Sequence, residues 1–210
     1  MPEHVKKSDK RNRIIYAALI VFSKDGFQNA KIEDIAKTAY IGKGTLYEYF
    51  SSKEELFLQV FTNFKESVLS KFWVVLNDRG DPLARLKRVA KISADICADD
   101  KIQMRFLAQF SFECITREKG NKLSELLKEY NEEIAALISG IVEEGIEEGL
   151  LKPLDVEILS KNFADTLFGM YMRYQLSDDK MNLQAESHSL YDIFVKGAGT
   201  LAVRNVDRRD

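Results

Sequence analysis

Apolar residues recur along this chain at helical spacing, in blocks of very unequal length. Ile14, Ala18 and Phe22 begin the first stripe, and Gly26 closes it as a residue suited to the position just past a helix end. The stretch KIEDIAKTAYIGKGTLYEYFSSKEELF, Lys31 to Phe57, then breaks its pattern twice, at Ala39 to Gly42 and at Ser51 and Ser52. Two short helices are predicted there, with Ile32, Ile35 and Ala36 as the apolar face of the first and Leu46, Tyr49 and Phe50 as that of the second. Helices this short are marginal alone in water and must be held by packing. Lys43, Thr45, Tyr47 and Glu48 are left pointing outward, and they are what needs explaining.

Longer stripes follow. Ser52 and Glu55 form a capping box that starts a helix running to about Leu76, with Leu56, Val60, Phe61, Phe64, Val68 and Phe72 inward. Asp81 and Pro82 open a helix to about Cys97, and another covers roughly Ile102 to Thr116. Leu123, Leu127, Tyr130, Ile134, Ile138, Ile141 and Ile146 make one long amphipathic helix closed by Gly149. Asp155 caps the next, through Leu159 and Phe163 to Tyr174. After a polar loop from Ser177 to Ala185, a last helix carries Leu190, Ile193, Phe194 and Leu201, and the tail Arg204 to Asp210 is expected to fray. No run of alternating β-branched residues argues for a strand, so the expected fold is all-α with about nine helices.

Composition changes this picture only at the N-terminal end. An apolar fraction of 45% with 30% charged residues is ordinary for a globular protein of 210 residues. The net charge is -2, yet the first fifty residues carry nine Lys and Arg against six Asp and Glu, a local +3 that leaves -5 for the remainder. An N-terminal module facing a polyanion and an acidic body follow from that asymmetry. Cys97 and Cys114 read as buried free thiols in a reducing compartment. MPEHVKKSDKRNR lacks the apolar core of a signal peptide, and no stretch of roughly eighteen apolar residues predicts a membrane span, so a cytoplasmic location is expected.

Two short helices around a tight turn, behind a basic first helix, fit a helix-turn-helix whose second helix enters a DNA major groove. The segments AALIVFSKDGF, IEDIAKTA and IGKGTLYEYFSSKEELF resemble the DNA-binding domain of TetR-family transcriptional regulators across residues 11 to 62. Beyond that the likeness is architectural. The resemblance implies a DNA-binding domain over 1-52 and a helical ligand-binding and dimerisation domain over 53-210. Lys43, Gly44 and Thr45 fall in the first turn of the recognition helix. Side chains there reach base edges, and the missing Cβ of glycine admits the backbone to the groove. Tyr47, Tyr49 and Lys53 occupy positions that usually contact phosphate in the family.

The chain also departs from the family pattern. Ala30 and Lys31 replace the usual hydroxyl pair before the first short helix, and the charge of Lys31 is expected to supply the phosphate contact instead. Tyr40 stands where a turn glycine is common and is strained by about 1 kcal/mol if it takes a positive φ. Gly42 replaces a common serine cap, which glycine performs almost as well.

GKGT is not a phosphate-binding P-loop, which needs glycine at 37 and Ser or Thr at 44, where this chain has Lys37 and Gly44. His4 and His188 have no ligand cluster around them, so no metal, cofactor or catalytic residue is assigned and no enzyme activity is expected. The body is rich in large apolar residues, Trp73, Phe112 and Met172 among them, and most of these residues are expected in the core. Phe61, Phe64, Phe72, Met104, Phe110, Tyr130, Phe168 and Tyr171 are the candidates for lining an effector pocket. Arg105, Glu113, Arg117 and Arg173 either orient the effector or lie on the surface. Dimer-interface candidates are Phe163, Leu167, Tyr174, Leu190, Phe194, Gly197 and Ala198. The functional expectation is a homodimeric repressor released from a palindromic operator by a small apolar or amphipathic effector. The alternative is a helical small-molecule-binding or enzymatic protein whose DNA-binding domain is vestigial.

Overall fold

The computed structural model describes residues 3–78, 80–118, 120–176 and 181–200. Among these residues there are nine α-helices and no strand, and Leu151 and Gly199 form an isolated antiparallel bridge. The helices are α1 Glu3–Asn29, α2 Ile32–Thr38, α3 Lys43–Tyr49, α4 Lys53–Leu76, α5 Pro82–Asp99, α6 Lys101–Thr116, α7 Lys122–Glu147, α8 Val156–Gln175 and α9 Leu183–Ala198. Leu201 and the tail from Arg204 lie outside the described residues, as do residues 177–180 of the expected polar loop.

Local chemistry sets the boundaries. The carboxylate of Asp81 accepts the Ala84 N–H at 2.8 Å and that of Asp155 accepts the Ile158 N–H at 2.9 Å, each satisfying a donor that a helix start leaves free. Asp100 and Asn182 do the same for Gln103 and Ala185, which places the start of α9 ahead of the expected Ala185 boundary. Gly26 kinks α1 rather than ending it: its φ of 70° breaks the helical path, and one more turn continues to Asn29. The Ser52 hydroxyl accepts the Glu55 N–H at 3.0 Å, but Glu55 reaches back to the N–H of Ser51 at 2.7 Å instead of that of Ser52.

The chain folds as two compact units. The first holds residues up to Ser67 together with Asp100–Leu127, which brings α6 alongside α1. Its core is aromatic. Phe57 meets Phe22 and Phe27 at 4.9 Å, Phe110 at 5.2 Å and Phe106 at 5.3 Å between ring centroids, while Phe61 stacks on Phe110 at 3.9 Å with the planes 10° apart. Pairs of this kind add about 0.5–1.5 kcal/mol each beyond the area they bury.

The second unit holds Val68–Asp99 with residues from Lys128 on, and in it α9 packs on α5 and α8. Arg85 is buried there, donating to the Val75 carbonyl at 3.3 Å and paired with Glu144. Phe163 of α8 meets Phe194 of α9 edge-on at 4.9 Å. Trp73 and Phe112 are not core residues, being 58% and 60% exposed, and Met172 also lies at the surface. Among the described residues no helix is long and apolar enough to cross a membrane.

Candidate nucleic-acid interface

The two short helices are held from one side. Ile32, Ile35 and Ala36 of α2 are buried, as are Leu46 of α3 and Phe50 just beyond it. Arg11 of α1 fixes this end of the unit, donating to Gln59 of α4 at 2.8 Å with its guanidinium 5.2 Å from the Phe50 ring. Because Leu46 and Phe50 supply the anchorage, Lys43, Gly44, Tyr47 and Glu48 are exposed, with Thr45 and Tyr49 half-buried. A Cβ at Gly44 would meet no atom of the chain within 4 Å. The fold therefore has no steric need for glycine there.

Lys43 is not free. Its ammonium pairs with the carboxylate of Glu33 in the first turn of α2, which pushes the lysine up from its ordinary range and the glutamate down. Sequence reading missed Glu33, whose partner lies ten positions away across the turn; its own local role, an acidic group at a helix start, hides the second one. Lys31 occupies the N-cap position of α2 in extended conformation, with no side-chain cap, and its carbonyl accepts from Asp34 and Ile35 at 3.1 and 3.2 Å. The lysine side chain is exposed.

Lys53 differs from expectation. Its ammonium donates to the carbonyls of Phe27, Gln28 and Ala30 at 2.7, 3.2 and 3.1 Å and lies 4.6 Å from the centroid of the Phe27 ring. All three N–H groups thus have acceptors at the end of α1, and none remains for the phosphate expected there. The guanidinium of Arg117, at the end of α6, lies at the same 4.6 Å from that ring, and it donates to Glu113 at 3.2 Å and to Glu54 at 2.6 Å. Glu113 is buried and also accepts from Gln28 at 3.1 Å. Glu113 and Arg117, candidates for orienting an effector, instead tie α6 to α1 and α4. Arg105 lies at the surface and Arg173 pairs with Glu186 at 2.5 Å.

Comparison with known proteins agrees with this geometry. The family model described as bacterial regulatory proteins, tetR family, matches residues 14–60, the span from α1 through the start of α4. The fatty acid metabolism regulator protein of Bacillus subtilis is 26% identical over 193 residues, covering 91% of this chain and 97% of that protein. Residues 14–60 thus carry the DNA-binding domain that the tetR family model describes. The HTH-type transcriptional repressor KstR2 of Rhodococcus jostii is 26% identical over 161 residues, with 76% of this chain and 77% of that protein covered. The solved structure of the transcriptional regulator FadR from Bacillus subtilis in complex with stearoyl-CoA has the same fold, with a TM-score of 0.74 at 24% identity over 89% of this chain and 98% of that one.

The pocket candidates fall in both units. Phe61, Phe64, Met104 and Phe110 are buried in the first unit, and the stacking of Phe61 on Phe110 makes both of them core. Phe72, Tyr130, Phe168 and Tyr171 belong to the second unit, where Phe168 is 41% exposed and burial pushes the Tyr130 phenol up. Phe72 lines a small apolar cavity with Val75, Val89, Ile134, Ile138 and Ile141, whose free space is about 10 Å³, room for about one water molecule. That is below the ~300–1,000 Å³ usual for a ligand pocket.

Of the dimer candidates, Phe163, Leu167, Tyr174 and Ala198 are buried within their own chain, Leu190 and Phe194 are half-buried and Gly197 is exposed. Ile158, Phe168, Met172 and Leu176 on or just past α8, with Ile193 on α9, are the large apolar side chains these helices leave at the surface.

Proposed function

We propose that this TetR-family regulator is a cytoplasmic homodimer that represses transcription from a palindromic operator and is released by an effector with a long apolar chain. The observation that carries the reading is the outer edge of α3: Lys43, Gly44, Thr45 and Tyr47 project away from a helix fixed from behind by Leu46 and Phe50. Side chains in the first turn of such a helix reach base edges, and backbone contacts around it fix register. In this reading Lys43, Gly44 and Thr45 meet bases, while Lys31, Tyr47 and Tyr49 meet phosphates. Residues 1-52 form the DNA-reading part and 53-210 the part that senses and dimerises. Pairing through the exposed apolar side chains of α8 and α9 would give the dimer its two-fold axis.

The effector class is suggested by two likenesses, to a fatty acid metabolism regulator and to a FadR structure holding stearoyl-CoA. The test is a duplex selected from a random library by the purified protein, titrated with stearoyl-CoA and, separately, with coenzyme A. Stearoyl-CoA should lower duplex affinity roughly 5- to 150-fold, the usual range of allosteric coupling, and duplex should weaken stearoyl-CoA by the same factor. A duplex that stays bound at saturating stearoyl-CoA would remove the acyl-thioester assignment.

A further inference from the structure

We infer that Tyr40 is a DNA-backbone contact, its phenol hydroxyl donating a hydrogen bond to a phosphate beside the groove that α3 enters. Among the described residues Tyr40 is the non-glycine residue with positive φ, at 57°, a conformation in which a side chain is strained. The strain comes from a helix stop. The Tyr40 N–H donates to the Lys37 carbonyl at 3.1 Å and the Ile41 N–H to the Ala36 carbonyl at 3.0 Å, the paired bonds of a Schellman motif whose left-handed position is usually glycine.

The same chain solves the same problem without strain elsewhere. At the end of α7 the Gly149 N–H donates to Ile146 at 3.0 Å and the Leu150 N–H to Gly145 at 2.9 Å, with glycine at φ 71°.

Tyrosine at position 40 gives the fold nothing in return for its strain. The side chain is 91% exposed, so neither its ring nor its hydroxyl is used in packing. Large aromatic side chains left in strained backbone and in solvent mark sites whose use lies outside the fold. The position supplies that use: Tyr40 stands in the turn two residues before Gly42, the N-cap of the recognition helix, and three before Lys43. A hydroxyl can donate to a phosphate there without bringing a counter-charge.

The inference rests on the DNA-binding reading above, and its test separates the two. Wild type, Tyr40→Phe, Tyr40→Gly and Lys43→Ala are compared on one 30-base-pair duplex of arbitrary sequence and on the best duplex from a random library, across a salt series. Tyr40→Phe should bind both duplexes about tenfold more weakly, with unchanged Tm. The slope of log affinity against log salt should also be unchanged, since a neutral donor displaces no counterion. Tyr40→Gly should bind as weakly as Tyr40→Phe yet melt roughly 2–4 °C higher, which excludes unfolding as the cause. Tyr40→Phe within twofold of wild type, while Lys43→Ala is weakened, would overturn the role of Tyr40 alone. A wild type that holds no duplex, or one that Lys43→Ala matches on every duplex, would overturn the DNA-binding reading itself.

Discussion

Replacing Lys53 by methionine keeps the aliphatic stem and removes the ammonium, so it isolates what the charge does. Two of the three carbonyl bonds, to Phe27 and Ala30, are partly shielded from water, and the third, to Gln28, is exposed and readily replaced by solvent. Each shielded bond is worth about 0.5–1.5 kcal/mol net. Loss of the cation 4.6 Å from the Phe27 ring adds about 0.5–1 kcal/mol, and loss of a positive group at a helix C-terminus a few tenths more. Since one charge makes all of these contacts, the terms overlap, and Lys53→Met should cost about 2 kcal/mol. In urea unfolding followed by circular dichroism, that is a midpoint lower by roughly 1 M at an unchanged slope of about 2 kcal/mol per M. The same variant should leave the salt dependence of DNA binding as in wild type, because the ammonium has no hydrogen left for phosphate. A midpoint within roughly 0.2 M of wild type, with the salt slope reduced by about 0.9 per lost contact, would refute this reasoning and return Lys53 to the phosphates.

Phe110→Ala removes the ring stacked at 3.9 Å on Phe61 and should destabilise the protein by about 3–5 kcal/mol in the same unfolding assay, whether or not an effector is present. Burial pushes the Cys97 thiol up to about 12 and the Cys114 thiol up to about 11, so at pH 8 a chromogenic disulfide reagent should modify both slowly, Cys114 first, and both rapidly in denaturant. The folded values lie above the ordinary 9.0, so the folded state holds these protons longer than the unfolded one. Their contribution to stability is intact below about pH 9 and is lost as pH rises through 11 and 12, measurable as a falling Tm across that window.

The helices were legible because their signals are local. Asp81, Asp155 and Gly149 each act on backbone groups within a few residues, and the stripes of α4, α7 and α8 repeat at helical spacing. Periodicity says that a residue is buried but not against what. Phe61 and Phe110 therefore read as pocket candidates, although each is the other's packing partner from a different helix. Lys53 was misread for the same reason, since its carbonyl acceptors lie 23 to 26 positions earlier in the chain. The outward edge of α3 was legible because its spacing alone separates Leu46 from Lys43 and Thr45, whereas Glu33, which restrains Lys43, shows itself only when α2 and α3 are placed together. Trp73 and Phe112 are exposed although they are large and apolar, because hydrophobicity alone does not tell a buried face from an exposed one.

The central claim, that α3 reads DNA sequence as one of two symmetric copies, is tested most directly by selecting duplexes from a random library with wild type and with the double variant Lys43→Ala, Thr45→Ala. Wild type should enrich a two-fold symmetric sequence, and the variant should lose about 1–3 kcal/mol of discrimination for each lost contact, at the same base pairs in both halves of that sequence. Enrichment of no symmetric sequence, or a variant that enriches the wild-type sequence with undiminished preference, would contradict the claim.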